Sequence, residues 1–191
     1  MSLEKYIKVY PAIPDPKTIG KFIQYLNKTF KDKKFVSGGI AGGHKKQDIV
    51  DKKVRDVEIL GLDPLNDSLS NVHWYNYINY LIVQQMSNYI REFPDIREAG
   101  IMDMQALRYG IGGHYKFHVD DGPTFNRKYS CILMLNNDFE GGNLCFNLDG
   151  KIIKMETKPG HVVIWPSNFM FPHAVEPLTK GVRYSVVSWM R

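Results

Sequence analysis

Cysteine is scarce in this chain, with two in 191 residues, Cys131 and Cys145, both inside strand-like runs. Two thiols make no disulfide framework. The expectation is a pair of buried free thiols in a reducing compartment. No apolar run approaches the roughly 18 residues of a membrane span, so none is expected. The opening Met1-Ser2-Leu3-Glu4-Lys5-Tyr6 lacks the apolar stretch of a secretory signal, and a cytoplasmic location follows as the expectation. Internal repeats and low-complexity linkers are missing as well, so no domain boundary is drawn.

Acidic charge is short in the first third. Residues 1–60 carry 13 Lys/Arg against 7 Asp/Glu, residues 61–191 carry 12 against 13, and the net charge is +5. The excess is lysine in loops without interleaved stacking aromatics, which speaks against a nucleic-acid module. A solvated lysine face is the plain reading; a patch that attracts an acidic partner is the sharper one. Ser37-Gly38-Gly39-Ile40-Ala41-Gly42-Gly43-His44 is rich in glycine but lacks the spacing of a phosphate cradle. It reads as a surface loop or lid.

What is present divides in two. Lys5–Tyr10 reads as a short strand, and Asp15-Pro16 opens a helix with Asp15 as N-cap. Ile19, Phe22, Ile23, Leu26 and Phe30 form its apolar stripe. Lys53–Leu60 reads as a strand. A long helix from Ser70 or Asn71 to about Arg91 ends at Phe93-Pro94. From residue 101 short β-rich runs alternate with turns: 101–109, 115–120, 129–136, 143–148, 151–157, 162–165, 173–176 and 182–189. Asp149-Gly150 is a hairpin signal, and Glu140-Gly141-Gly142 and Pro159-Gly160 mark tight turns. This predicts a mainly β, α+β fold, a double-sheet jelly roll carrying helices on one side. Residues 1–191 are expected to form one domain, with support over 1–100 and the jelly-roll core over 101–191.

Inside that β-rich half stands His118-Val119-Asp120, followed by His173 and by Arg183-Tyr184-Ser185. On a strand, residues two apart share a face. His118 and Asp120 should therefore point one way, with Tyr115, Phe117 and Val119 on the other side. Two imidazoles and a carboxylate can hold one face of a ferrous ion and leave the opposite face open. Arg183 and Ser185 also share a face, and a guanidinium with a nearby hydroxyl can grip a carboxylate. A metal beside such a clamp suggests an organic acid that also touches the metal.

Arg108-Tyr109, His118-Val119-Asp120, Leu135-Asn136, Glu140-Gly141-Gly142, Pro159-Gly160, Trp165, Pro172-His173, Gly181-Val182-Arg183-Tyr184-Ser185 and Trp189 together carry a likeness. Residues 101–191 resemble the iron(II)- and 2-oxoglutarate-dependent dioxygenases, most closely the prolyl 4-hydroxylase-type branch. The resemblance implies a double-stranded β-helix. It implies Fe(II) held by His118, Asp120 and His173. It implies 2-oxoglutarate held through its distal carboxylate by Arg183 and Ser185, with Tyr109 bordering the pocket. O2 is the implied second cosubstrate and ascorbate the implied reductant. One departure is Met134, which stands where some relatives place a tyrosine on that carboxylate.

The implied reaction hydroxylates an unactivated C–H bond and releases succinate and CO2. Asp120 favours hydroxylation over halogenation, since halogenating relatives lack this ligand. The expected substrate is a prolyl residue in a peptide or protein. A free small molecule such as an amino acid is the alternative, and residues 37–53 and 121–129 are candidate lids for either. Trp189 occupies the position where nucleic-acid demethylases of the family carry a second arginine, so no nucleic-acid partner and no membrane partner is expected. A non-catalytic metal-binding β-sandwich is the rival from another class; it has no use for the Arg183 clamp.

Overall fold

The computed structural model describes residues 2–40, 49–96, 100–122 and 126–191. After a 3-10 turn (Leu3–Tyr6) come β1 (Lys8–Pro11), α1 (Pro16–Lys31), β2 (Val36–Ser37), β3 (Arg55–Asp56), β4 (Glu58–Gly61) and α2 (Leu69–Glu92). Ten strands complete the chain: β5 (Ile101–Tyr109), β6 (His114–His118), β7 (Tyr129–Met134), β8 (Glu140–Gly141), β9 (Leu144–Leu148), β10 (Lys151–Lys154), β11 (His161–Pro166), β12 (His173–Val175), β13 (Leu178–Lys180) and β14 (Arg183–Met190).

α1 starts where its cap chemistry says it should. The Asp15 side chain accepts from the Lys17 N–H at 3.0 Å, and Pro16 occupies the first turn, where a missing N–H costs nothing. Ile19, Phe22 and Leu26 are its buried face. α2 buries Trp74, Ile78, Leu81, Ile82, Met86 and Tyr89, and it stops at Phe93 because Pro94 has no N–H to continue the ladder. Among the described residues no helix is long and apolar enough to cross a membrane.

Two sheets face each other. The larger has seven strands in the order β1-β11-β7-β14-β5-β4-β2, the smaller five in the order β10-β9-β12-β6-β3, and β13-β8 form a separate ribbon. Alternation along the larger sheet separates two cores. Met104, Ala106, Cys131, Leu133, Val162, Ile164, Tyr184 and Val186 pack with α1 and α2. Leu107, Tyr109, Ile132, Met134, Val163, Trp165, Val187 and Trp189 face the smaller sheet, meeting Leu144, Phe146 and Val175. This is the jelly roll with a helical layer on one side that the sequence predicts.

Several local expectations are corrected. Lys5–Tyr10 is divided between the 3-10 turn and β1. Lys53–Leu60 is two strands in different sheets: Arg55-Asp56 pair with β6, and Glu58–Gly61 pair with β5. The chain crosses between the sheets at Val57, whose side chain is buried between them. Glu140-Gly141, read as part of a tight turn, pairs with Leu178–Lys180 as the ribbon. The Asp149-Gly150 hairpin forms as expected, with φ of 53° and 80°, the pair of positive values that a two-residue primed turn requires. The candidate lids fall partly on residues 41–48 and 123–125, which lie outside the described residues. Cys131 and Cys145 are buried free thiols.

Candidate functional site

His118 closes β6 and His173 opens β12, and the two are directly opposed across the antiparallel pair. Their ring centroids are 4.3 Å apart. Asp120 lies two residues beyond the end of β6, on a segment fastened by the Asp121 N–H donating to the Ser167 carbonyl. Its Oδ2 is 3.2 Å from His173 Nε2 and its Oδ1 3.7 Å from His118 Nε2. One ligand atom from each of the three residues falls within 4.8 Å of the others, the only such group among the described residues.

The shared-face prediction holds for the histidine and aspartate, but not for Tyr115. The β6–β12 register shifts between His118↔His173 and Tyr115↔Val175, so three steps on β6 match two on β12. The extra residue is a β-bulge, which resets the alternation. Tyr115 therefore shares the face of His118 and stacks on its ring, with centroids 3.5 Å apart and planes 19° from parallel. Phe117 and Val119, expected on the face opposite His118 and Asp120, are exposed.

Hydrogen bonds set the donor atoms. His118 Nδ1 lies 2.8 Å from the Lys116 carbonyl and His173 Nδ1 3.1 Å from that of Phe171. A carbonyl only accepts, so each Nδ1 carries the proton and each Nε2 keeps its lone pair. Burial, and after it the neighbouring His173, pushes the His118 imidazole down to about 3. Burial pushes the Asp120 carboxyl up, yet His173, His118 and the Ser130 hydroxyl together outweigh it and hold that group below the usual carboxylate range. Ser130 Oγ donates to Asp120 Oδ2 at 2.7 Å, and Ser167 Oγ is 2.7 Å from Ser130 Oγ.

Arg183 is wholly buried on the interior face of β14, paired with Tyr109 of β5. Its Nη1 donates to Ser185 Oγ at 2.9 Å and its Nη2 to the Met134 sulfur at 3.4 Å; its guanidinium lies 5.1 Å from the Tyr109 ring centroid. Nε has no partner, and no carboxylate pairs with this cation among the described residues. Burial pushes its pKa down, with Tyr109 opposing. A buried cation without a counter-ion is costly. An anionic ligand at this point would relieve that cost, so the residues fit an acid cosubstrate as well as a metal.

All six residues singled out in the sequence (Tyr109, His118, Asp120, His173, Arg183, Ser185) thus face the space between the two sheets. Met134 stands at the guanidinium, as the sequence comparison with tyrosine-bearing relatives anticipates. His114 is turned to the backbone carbonyls of Gly112 and Lys53. Four neighbours were not singled out as site residues: Tyr115, Ser130, Ser167, and Trp165, whose ring is 4.9 Å from that of His173. Ser130 shares a strand face with Ile132 and Met134, a signal visible in the sequence. Ser167 carries none.

Residues 104–191 match the model of the 2OG-Fe(II) oxygenase superfamily. A PKHD-type hydroxylase of Colwellia psychrerythraea is 34% identical over 87 residues, 42% of this chain and 38% of that protein. Human prolyl 3-hydroxylase 1 is 40% identical over 75 residues, 37% of this chain and 10% of that protein. The chain thus spans well under half the length of these relatives. Among solved structures, a Pseudomonas putida prolyl-4-hydroxylase superposes with a TM-score of 0.71 at 19% identity, over 97% of this chain and 92% of that one. A Trichoplax adhaerens prolyl hydroxylase in complex with a hypoxia inducible factor peptide fragment gives 0.78 at 14% identity, over 97% and 83%. The fold is therefore the double-stranded β-helix of these prolyl hydroxylases, and residues 104–191 are similar to the 2OG-Fe(II) oxygenase superfamily.

Proposed function

We propose that this chain is an iron(II)- and 2-oxoglutarate-dependent hydroxylase acting on a prolyl residue of a peptide or protein. One observation carries the reading. Arg183, a fully buried cation with no anionic partner among the described residues, opens onto the same inter-sheet space as three convergent metal-ligand atoms. A metal binder alone needs no such cation. When bound, the metal, 2-oxoglutarate and O2 would together supply an oxidant that turns a C–H bond into C–OH, one oxygen atom of O2 going to the hydroxyl and the other to succinate as CO2 leaves.

The chain's own side chains position and shield. His118 and His173 offer Nε2, and Asp120 offers carboxylate oxygen, with Oδ2 already accepting from Ser130. Arg183 and Ser185 take the distal carboxylate of the cosubstrate. Tyr109 walls that pocket. Trp165 and Phe146 pack against the His173 ring, so water is kept from that side. The peptide substrate is supported by the Trichoplax likeness, whose structure holds a peptide. Two buried thiols agree with a reducing compartment such as the cytoplasm.

The test is succinate release with Fe(II), ascorbate and 2-oxoglutarate against a panel of proline-containing peptides and free amino acids. Stimulation by peptides is expected. Stimulation by free amino acids alone would move the reading to a small-molecule hydroxylase. Asp120→Ala and His173→Ala should each abolish turnover; either variant near wild-type rate would remove the metal assignment.

A further inference from the structure

We propose that the outer face of the smaller sheet, together with the turn that leads into His173, is an interface between two copies of this chain. The inference goes beyond the hydroxylase reading and does not depend on it.

An antiparallel sheet with one face in water is ordinarily polar on that face. The smaller sheet departs from this. Leu144, Phe146, Leu148, Ile153 and Val175 belong to the core between the sheets. Alternation then turns Cys145, Asn147, Ile152, Ala174, Phe117 and Val119 outward. Cys145 and Ala174 form a buried floor. The polar exceptions are Asn147, Lys116 at the bulge, and Lys154, which is paired with Glu176 at 2.7 Å. α1 and α2 both pack on the larger sheet, so among the described residues no helix covers this face.

The turn before β12 extends the apolar surface. Phe169 is 80% exposed and Met170 41%, beside Ile152 at 49%, Phe117 at 47% and Val119 at 38%. At roughly 150–250 Å² for a large side chain standing free, these five present on the order of 500 Å² of apolar surface. Single exposed apolar residues need no explanation, but a joined group of this size marks a binding surface. A standard interface buries about 800 Å² per partner, about 60% of it apolar. The group therefore supplies what one side of a stable dimer requires.

Two features select a second copy as the occupant. Beside Phe169 lies a recess of about 570 Å³, walled by Leu3, Leu148, Ile153, Met170 and Pro172. One surface thus carries both a projecting ring and a hollow that can take one, which is the self-complementarity a twofold axis needs. The rim carries both signs of charge, Lys151 against Glu4 and Asp149. A twofold axis lets each copy's lysine face its partner's carboxylates. The helical layer offers no such match. α1 exposes Lys17, Lys21, Lys28 and Lys31 and contains no acidic residue, so two copies would repel there.

Sedimentation equilibrium of the full chain tests the interface. Twice the 22.0 kDa chain mass is expected at high concentration, falling towards the single mass on dilution. Phe169→Asp and Ile152→Asp should each weaken association by about 30-fold or more, the loss expected of an interface anchor. Lys151→Glu should weaken it less, as a rim charge does. Tyr80→Asp, on the exposed side of α2, should leave it unchanged. Near-UV circular dichroism matching wild type shows that a variant has lost a contact and not its fold, and the wild-type mass needs no variant. A wild type that stays single at every concentration overturns the proposal. So does a dimer that both Phe169→Asp and Ile152→Asp leave intact, or one that Tyr80→Asp breaks. A single chain in which Phe169→Asp raises the KM for a prolyl peptide would give this face to the substrate and overturn the dimer as well.

Discussion

Arg183 sits without a counter-charge among the described residues, with Ser185 and a methionine sulfur as its only hydrogen-bond acceptors. Sulfur is a weak acceptor, so Met134 yields easily to a carboxylate. Arg183→Ala should raise the 2-oxoglutarate concentration for half-maximal succinate release tens-fold or more, matching the roughly 2–5 kcal/mol of a truncated buried charge pair. An unchanged requirement would dissolve the clamp. His118 gives a pH signature. Its imidazole, ordinarily near 6.5, is pushed down to about 3 by burial. Between those values the unfolded chain holds a proton that the folded chain refuses, so stability falls as the pH falls through that window and is flat above it. Asp120, held low, adds its own loss only below its ordinary 3.8. The melting midpoint of chelator-treated protein should therefore decline from pH 6.5 towards 4, and His118→Asn should remove part of that slope. Equal slopes for both proteins would contradict the assignment.

At the level of elements, the β8–β13 ribbon shows what sequence pattern reveals and what it hides. β5 has the bounds that periodicity predicts, and α1 begins at its predicted cap, because both depend on local chemistry. The ribbon, the bulge in β6 and the division of Lys53–Leu60 between two sheets depend on pairing with distant strands, and no local pattern encodes them. The triad was legible because its residue types and spacing are unusual; Tyr115 was misplaced because a one-residue bulge inverts alternation. The ribbon also delivers Arg183. Gly142, at φ 60°, lies where a Cβ would come 2.7 Å from Leu178 Cδ1 and 3.2 Å from Arg183 Cδ. Gly142→Ala should cost on the order of 1–3 kcal/mol through the left-handed backbone. It should also weaken 2-oxoglutarate binding, because the added methyl displaces the arginine stem. Calorimetric titration with 2-oxoglutarate checks this; lower stability with unaltered binding would separate the ribbon from the clamp.

Across the whole molecule, one sheet serves two cores, and only one of them adjoins the site. α1 and α2 cover the side of Met104, Leu133 and Val186, while His173, Arg183 and Phe146 belong to the side facing the smaller sheet. The helical layer should then support the sheet without tuning the chemistry. Leu26→Ala, removing a fully buried side chain, should cost about 2–5 kcal/mol, equivalent to roughly 2–4 °C of melting temperature per kcal/mol at this size. Phe146→Ala should cost about 3–5 kcal/mol, and it also removes the ring 5.9 Å from that of His173. Co(II) titration well below both midpoints separates the two effects: Leu26→Ala should bind as wild type does, whereas Phe146→Ala should bind more weakly because His173 loses a wall. If Leu26→Ala weakens Co(II) binding as much as Phe146→Ala, the sheet transmits strain between its faces and the helical layer takes part in shaping the site.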